Sequence, residues 1–214
     1  MRKLLLTTAA VAAAIAGAFA DEMAFGTFTD TRDGQTYKTV KIGAQTWIAR
    51  NINYKTESGS WCYNDSTSYC KKYGRLYDWK TAVTVCPKGW KLPSREDWDN
   101  LGEAVGSKRQ RIYDRSNYWP NAGYNLKSRT GWNTLGGESG NGTDSYGFWA
   151  LPSGYRSDVG NFDDVGYFGR WWTATVGGSD SAYSRRMDYD VRAMYEISDV
   201  RNNAYSVRCV ADRP

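Results

Sequence analysis

Apolar positions recur with helical spacing in two places along the chain. Trp98, Leu101 and Val105 fall at i, i+3 and i+7, which puts them on one face of a short helix. Pro93 keeps Leu92 extended, so that helix begins after it; Ser94 supplies an N-cap oxygen and Asp97, three residues on, completes a capping box. Leu76, Trp79, Ala82 and Val83 recur at i, i+3, i+6 and i+7 and predict an earlier helix over 77–85. Elsewhere the period is two. Val40 and Ile42 alternate with Thr39 and Lys41 as on a strand with one buried face, and the turn Arg32-Asp33-Gly34-Gln35 makes it a hairpin with Thr27-Phe28-Thr29. Gln45-Thr46-Trp47-Ile48 is a further short strand, and 148–156, 169–175 and 204–210 read as strands bounded by turns.

Between these elements the periodicity fails. The segment 107–125 is charged and aromatic, contains Pro120 and Gly123, and reads as an irregular surface excursion; 131–146 is rich in Gly, Asn and Thr and reads the same way. A hairpin, two helices in the first half and then long loops between short strands is an α+β pattern. Loops of this length in a compact domain are functional or disordered, and 10 Trp with 16 Tyr argue against disorder. No internal repeat or low-complexity linker divides the chain, so a single domain is expected.

The first residues stand apart from the fold. Met1-Arg2-Lys3 is basic, an apolar run follows from Leu4, and Ala18-Phe19-Ala20 is an A-x-A cleavage site, so 1–20 reads as a signal peptide. The run is too short and alanine-rich for a transmembrane segment. The expected product starts at Asp21, has a short lead over 21–27 and a domain over 28–212, and is secreted or displayed on the cell surface. In an oxidising compartment four cysteines form a disulfide framework with three possible pairings. The turn formers between Cys62 and Cys70 suit a small closed loop, which leaves Cys86 for Cys209. The chain-entropy relation gives roughly 2.6 kcal/mol for the short link and about 4.9 kcal/mol for the long one.

Charge and composition remove several classes of function. Loss of Arg2 and Lys3 with the signal lowers the formal charge from +5 to +3, too little to argue for nucleic acid. The one basic cluster, Lys108, Arg109, Arg111 and Arg115, reads as a solvated loop. The chain has no histidine, which excludes Ser-His-Asp and Cys-His catalysis, most zinc sites and a histidine base. With the thiols committed to bridges, an enzyme would rest on carboxylates, Tyr or Lys. No catalytic residue is assigned.

Binding residues are sought among the aromatic, arginine and carboxylate side chains. Trp47, Trp79, Trp90, Trp98 and Trp149 sit in strand or helix patterns and are assigned to the core. Trp119, Tyr155 and one of Trp171 and Trp172 lie in or beside irregular segments, where a flat ring can stack on a sugar. Adjacent strand residues point to opposite faces, so one of the Trp171 and Trp172 pair is expected to face outward. Arg156 and Arg185, with Arg170 and Arg186, are candidates for forked hydrogen bonds to anionic sugars or phosphates. Asn161, Asp163 and Asp164 are the calcium candidates, although solvated turn residues are the expected reading and no cofactor is assigned. No carboxylate pair stands out as that of a glycosidase.

Several longer motifs carry a resemblance. They are Asp30-Thr31-Arg32-Asp33-Gly34-Gln35-Thr36-Tyr37-Lys38-Thr39-Val40-Lys41-Ile42-Gly43 with Gln45-Thr46-Trp47, then Tyr73-Gly74-Arg75-Leu76-Tyr77-Asp78-Trp79, then Cys86-Pro87-Lys88-Gly89-Trp90-Lys91-Leu92-Pro93-Ser94, Gly147-Phe148 and Ser206-Val207-Arg208-Cys209-Val210. Together they resemble the Fibrobacter succinogenes major paralogous domain over nearly the whole exported chain. The resemblance implies a secreted bacterial protein whose fold is related to C-type-lectin-like domains and to the formylglycine-generating enzyme; Leu92 to Trp98 is similar to the helix start of the latter. The lectin calcium and sugar motif is missing, since Trp132-Asn133-Thr134 lacks its carboxylate, and the reactive cysteine pair of formylglycine formation has no counterpart. The expectation is one loop-rich, C-type-lectin-like α+β domain with two short helices, short antiparallel strands and two disulfides. Its expected role is an exported, non-catalytic recognition module binding polysaccharide or another cell-surface component through its loop face. The alternative is a structural or adhesive surface protein acting through protein contacts, and a carboxylate-based enzyme ranks last.

Overall fold

In the computed structural model, which describes residues 24–112 and 117–212, the strand Phe168–Val176 runs through the middle of a ten-stranded sheet. The signal peptide expected over 1–20 and Arg115 lie outside the described residues. On one flank the strand pairs antiparallel with Ser181–Asp188, followed by Met194–Val200, Asn117–Trp119 and Gln110–Arg111. On the other flank Ser153–Arg156 and Ala204–Ser206 run parallel to it, and Leu76–Asp78 and Ser60–Trp61 continue the sheet.

Trp171 and Trp172 do point to opposite faces of this strand, yet both are fully buried. Trp171 packs with Trp98, Trp119, Phe148, Met187 and Met194. Trp172 packs with Tyr77, Val207 and Tyr205, its ring 4.3 Å from that of Tyr205, and its Nε1 donates to the Tyr77 carbonyl at 2.8 Å. The expectation that one of the pair faces outward is therefore corrected. Alternation fixes which face a residue takes, and here each face lies under a separate core.

Four short α-helices occur among the described residues, against two expected: α1 Thr67–Tyr73, α2 Trp79–Val85, α3 Arg95–Ala104 and α4 Ala122–Leu126. The start of α3 is the expected capping box, with Asp97 N donating to Ser94 Oγ at 3.1 Å and Ser94 N donating to Asp97 Oδ2 at 2.9 Å. Trp98, Leu101 and Val105 on its inner face are buried. α2 starts later than the periodicity suggests because Leu76–Asp78 pairs with Ala204–Ser206, after which Asp78 Oδ1 accepts from Thr81 N at 2.8 Å and caps the helix. α4 corrects the reading of 107–125 as a surface excursion. Trp119, Ala122 and Leu126 are fully buried, and Trp119 pairs with Met194 in the sheet.

The second sheet has five strands, in the order Phe25–Thr29, Thr36–Ile42, Gln45–Ile48, Val210–Ala211 and Trp90–Lys91. Part of the lead expected over 21–27 is thus the first strand, with Phe25 opposite Val40 and Thr27 opposite Lys38. Both disulfides pair as expected, Cys62 with Cys70 and Cys86 with Cys209. The long bridge and the pairing of Val210 with Lys91 act together, fastening the end of the chain to the segment that leads into α3. The outcome is a mixed α/β architecture of mostly antiparallel sheets with two disulfides. No helix among the described residues is long and apolar enough to cross a membrane.

Candidate functional site

Most of the expected binding residues are not on a shared surface. Trp119, Trp171 and Trp172 are fully buried and offer no face for stacking. Arg185 is buried as well: Nη1 donates to Glu196 Oε2 at 2.7 Å, Nη2 to Asp99 Oδ1 at 2.5 Å and to the Arg95 carbonyl at 3.1 Å, and the guanidinium lies over the Trp119 ring. Arg95 closes the network by pairing with Glu196. Burial pulls the Arg185 guanidinium below its ordinary value against the pull of both carboxylates. Its donors brace α3 to the strands Ser181–Asp188 and Met194–Val200, which corrects its assignment as an anion-binding residue.

Tyr155 and Arg156 are half-buried on the strand Ser153–Arg156 of the ten-stranded sheet. Tyr155 packs edge-on against Tyr205 under the Arg170 guanidinium, and Arg156 lies 4.5 Å over the Trp61 ring. Arg170 and Arg186 continue this face, with Arg186 over both Phe168 and Tyr195, and Tyr195 stacked on Tyr118. Asn161 and Asp163 are exposed and Asp164 half-buried on the hairpin through Phe162–Val165. Among the described residues no three His, Cys, Asp or Glu side chains converge as a metal site.

The structure assembles a different surface around Trp149. The pattern assigns this residue to the core, but Phe148 and Ala150 on either side are fully buried while Trp149 is half-exposed. Its φ of 54° lies in the left-handed region, where a bulky side chain costs of order 1–3 kcal/mol unless its surroundings hold it. Three groups do. Asp144 Oδ1 accepts from Trp149 N at 2.8 Å, and Arg208 donates through Nη2 to the Trp149 carbonyl at 2.6 Å and through Nη1 to the Phe148 carbonyl at 2.5 Å. Arg208 also donates to Asn51 Oδ1 and to the Ile48 carbonyl. It is fully buried and makes no ion pair among the described residues, and burial pulls its guanidinium down to about 9. The third group is Arg50, whose guanidinium carbon sits 3.7 Å from the centre of the indole.

Facing Trp149 is Phe25, 60% exposed on the first strand. Gly147, at φ +66°, lets the Phe25 ring lie against the backbone, since a Cβ there would come within 2.5 Å of it. Phe25, Gly26, Thr27 and Lys38 form one wall of a cavity of about 590 Å³, and Arg129, Asp144, Gly147 and Trp149 form the other. Burial raises the Asp144 carboxyl pKa, against the Trp149 N–H and the charges of Arg208 and Arg129. A groove with two aromatic rings and charged groups on its walls has the composition of a small-molecule or sugar site. The reading of 148–156 as one strand is corrected: only Ser153–Arg156 is a strand, and it is the left-handed backbone at Trp149, which no local pattern announces, that takes this residue out of the core.

The family model of the Fibrobacter succinogenes major domain matches residues 40–211. The chain belongs to this family. No curated protein and no solved structure matches it. In this Fibrobacter succinogenes major domain the matched residues include the Arg129 to Trp149 wall, whereas Phe25, Gly26, Thr27 and Lys38 precede them. The groove therefore combines a wall inside the matched region with one contributed by the preceding hairpin.

Proposed function

We propose that this domain is an exported, non-catalytic recognition module that binds polysaccharide, or another cell-surface component presenting sugar, in the groove between Trp149 and Phe25. The observation that carries this reading is Trp149 itself, held in a costly backbone conformation by a buried arginine so that its ring lines a groove. A fixed aromatic face stacks on a pyranose ring without first losing side-chain freedom. The cavity falls within the range of natural ligand sites. Two disulfides suit an oxidising, extracytoplasmic setting, and a chain without histidine or a free thiol suits a binding role. Loops held over short strands by a bridge to the last strand suit kinship with C-type-lectin-like folds.

Affinity electrophoresis through gels containing soluble polysaccharides tests the proposal. The protein is expected to be retarded by at least one polymer, and Trp149→Ala to migrate freely through it. Equal retardation of the two proteins, or no retardation by any polymer, would refute the assignment. The second reading, adhesion through protein contacts, is favoured by the half-buried face of Tyr118, Tyr195, Phe168 and Tyr155 with Arg170 and Arg186, a composition enriched in protein interfaces.

A further inference from the structure

We infer that the groove selects an acidic polysaccharide, one whose sugar rings bear carboxylates, over a neutral one. This inference rests on the reading of the groove as a sugar site. Its basis is the state of the three charged side chains on the walls.

Lys38 is exposed on the strand Thr36–Ile42, opposite Thr27 in the register and so on the same face as Thr27 and Phe25. Arg129 is exposed on the other wall, and its Nε donates to the Thr143 carbonyl at 2.8 Å. That bond anchors the guanidinium by one edge and leaves Nη1 and Nη2 without a protein acceptor among the described residues. Neither cation meets a carboxylate within 4.0 Å among the described residues.

The single acid of the groove is already engaged. Asp144 accepts the Trp149 N–H and sits in the field of Arg208 and Arg129. With Arg50 stacked on the indole and Arg208 beneath it, the neighbourhood carries four cations against one carboxylate. The groove thus offers an apolar ring to the flat side of a sugar and, at its rim, a forked donor whose geometry fits a carboxylate. A neutral sugar would use the ring and leave the fork in water. A uronic acid would use both.

The test compares polygalacturonate with its methyl ester, which keeps the sugar ring and removes the charge, using affinity electrophoresis and titration calorimetry on the intact exported chain. The acid form is expected to bind about tenfold or more tightly than the ester, the scale of one charge-assisted hydrogen bond. Arg129→Gln and Lys38→Gln, both at exposed positions, are expected to lose most of that preference while keeping the weaker affinity for the ester. Trp149→Ala is expected to lose both. Preference for the acid should shrink as salt rises from about 0.01 M to about 0.15 M, where the screening length falls from about 30 to about 8 Å.

Equal affinity for acid and ester, both abolished by Trp149→Ala, would overturn the inference and leave the sugar site standing. Acid binding that survives both Arg129→Gln and Lys38→Gln would overturn it as diffuse attraction to a basic protein. Binding to neither polymer, nor to the wider polysaccharide panel, would remove the sugar site and the inference together.

Discussion

Replacing Arg208 with lysine should cost stability and, under the proposed sugar-binding role, binding as well. Arg208 reaches in three directions from one buried position: to Asn51 Oδ1, to the Ile48 carbonyl beside the first hairpin, and to the Phe148 and Trp149 carbonyls in the opposite wall. A lysine keeps the positive charge but is a single point of donation and cannot span these acceptors. Asn51 Oδ1 retains a donor in Trp171 Nε1 at 2.9 Å. The Phe148 and Trp149 carbonyls lose theirs. Hydrogen bonds to charged groups contribute about 1.5–3 kcal/mol each, so loss of two predicts destabilisation by about 3 kcal/mol or more. With a urea m-value near 2 kcal/mol/M, the midpoint should fall by about 1.5 M. Urea unfolding followed by near-ultraviolet circular dichroism measures this directly. A midpoint within about 0.3 M of the parent would show that the forked donor does not hold the groove.

Two further predictions follow from buried groups and from the disulfides. Loss of the Cys86–Cys209 bridge by paired alanine substitution should destabilise the protein by about 5 kcal/mol and loss of the Cys62–Cys70 bridge by about 2.5 kcal/mol; equal effects in urea unfolding would show that loop length does not set their contributions. Lys127 donates to the carbonyls of Asp188 at 2.9 Å and Val191 at 3.0 Å, and burial pulls its ammonium down to about 8. Between about pH 8 and pH 10 the unfolded chain then holds more of this proton than the folded one, so this contribution to stability rises with pH. The stability difference between the parent and Lys127→Met should move in the parent's favour as pH is raised from 8 to 9.5, and a flat difference would refute the buried ammonium as its source.

How much of this was readable in the chain depends on how local each feature is. The capping box at Ser94 and the first hairpin are written in neighbouring residues and form as expected, whereas the single strand expected over 204–210 divides into Ala204–Ser206 and Val210–Ala211, one in each sheet. The disulfides were readable because four cysteines allow only three pairings and the turn formers between Cys62 and Cys70 suit a small closed loop. α1 was missed because only Cys70 and Tyr73 of its seven residues are buried, too few to show a period. Trp119, Trp171 and Trp172 looked like surface candidates because a pattern tells which face a residue takes and nothing about what covers that face. Arg185 and Arg208 left no local trace. Their acceptors lie 86 residues away at Asp99, 60 at Phe148 and 157 at Asn51, so their burial follows from the tertiary fold alone.

The site and the fold meet in the last strand region. Cys209 is bonded to Cys86, Val210 pairs with both Trp47 and Lys91, and Arg208, one residue earlier, is buried behind the Trp149 wall and reaches back to Ile48. Its acceptors belong to both walls' supports: Ile48 pairs with Thr39 in the sheet that carries Lys38 and Phe25, and Trp149 is the opposite wall. The backbone that presents Trp149 is therefore held by a residue that does not itself line the cavity. The position of that residue is in turn fixed on both sides, by the disulfide at Cys209 and by Val207 in the core beside Trp172. The base of the groove is held by buried hydrogen bonds of Arg208, whereas at the rim Lys38 and Arg129 occupy exposed positions, Arg129 with one side-chain hydrogen bond to the Thr143 carbonyl. Under the proposed sugar-binding role, substitutions at the rim should thus change which sugar is preferred with little effect on folding, whereas substitutions at Arg208 should change both.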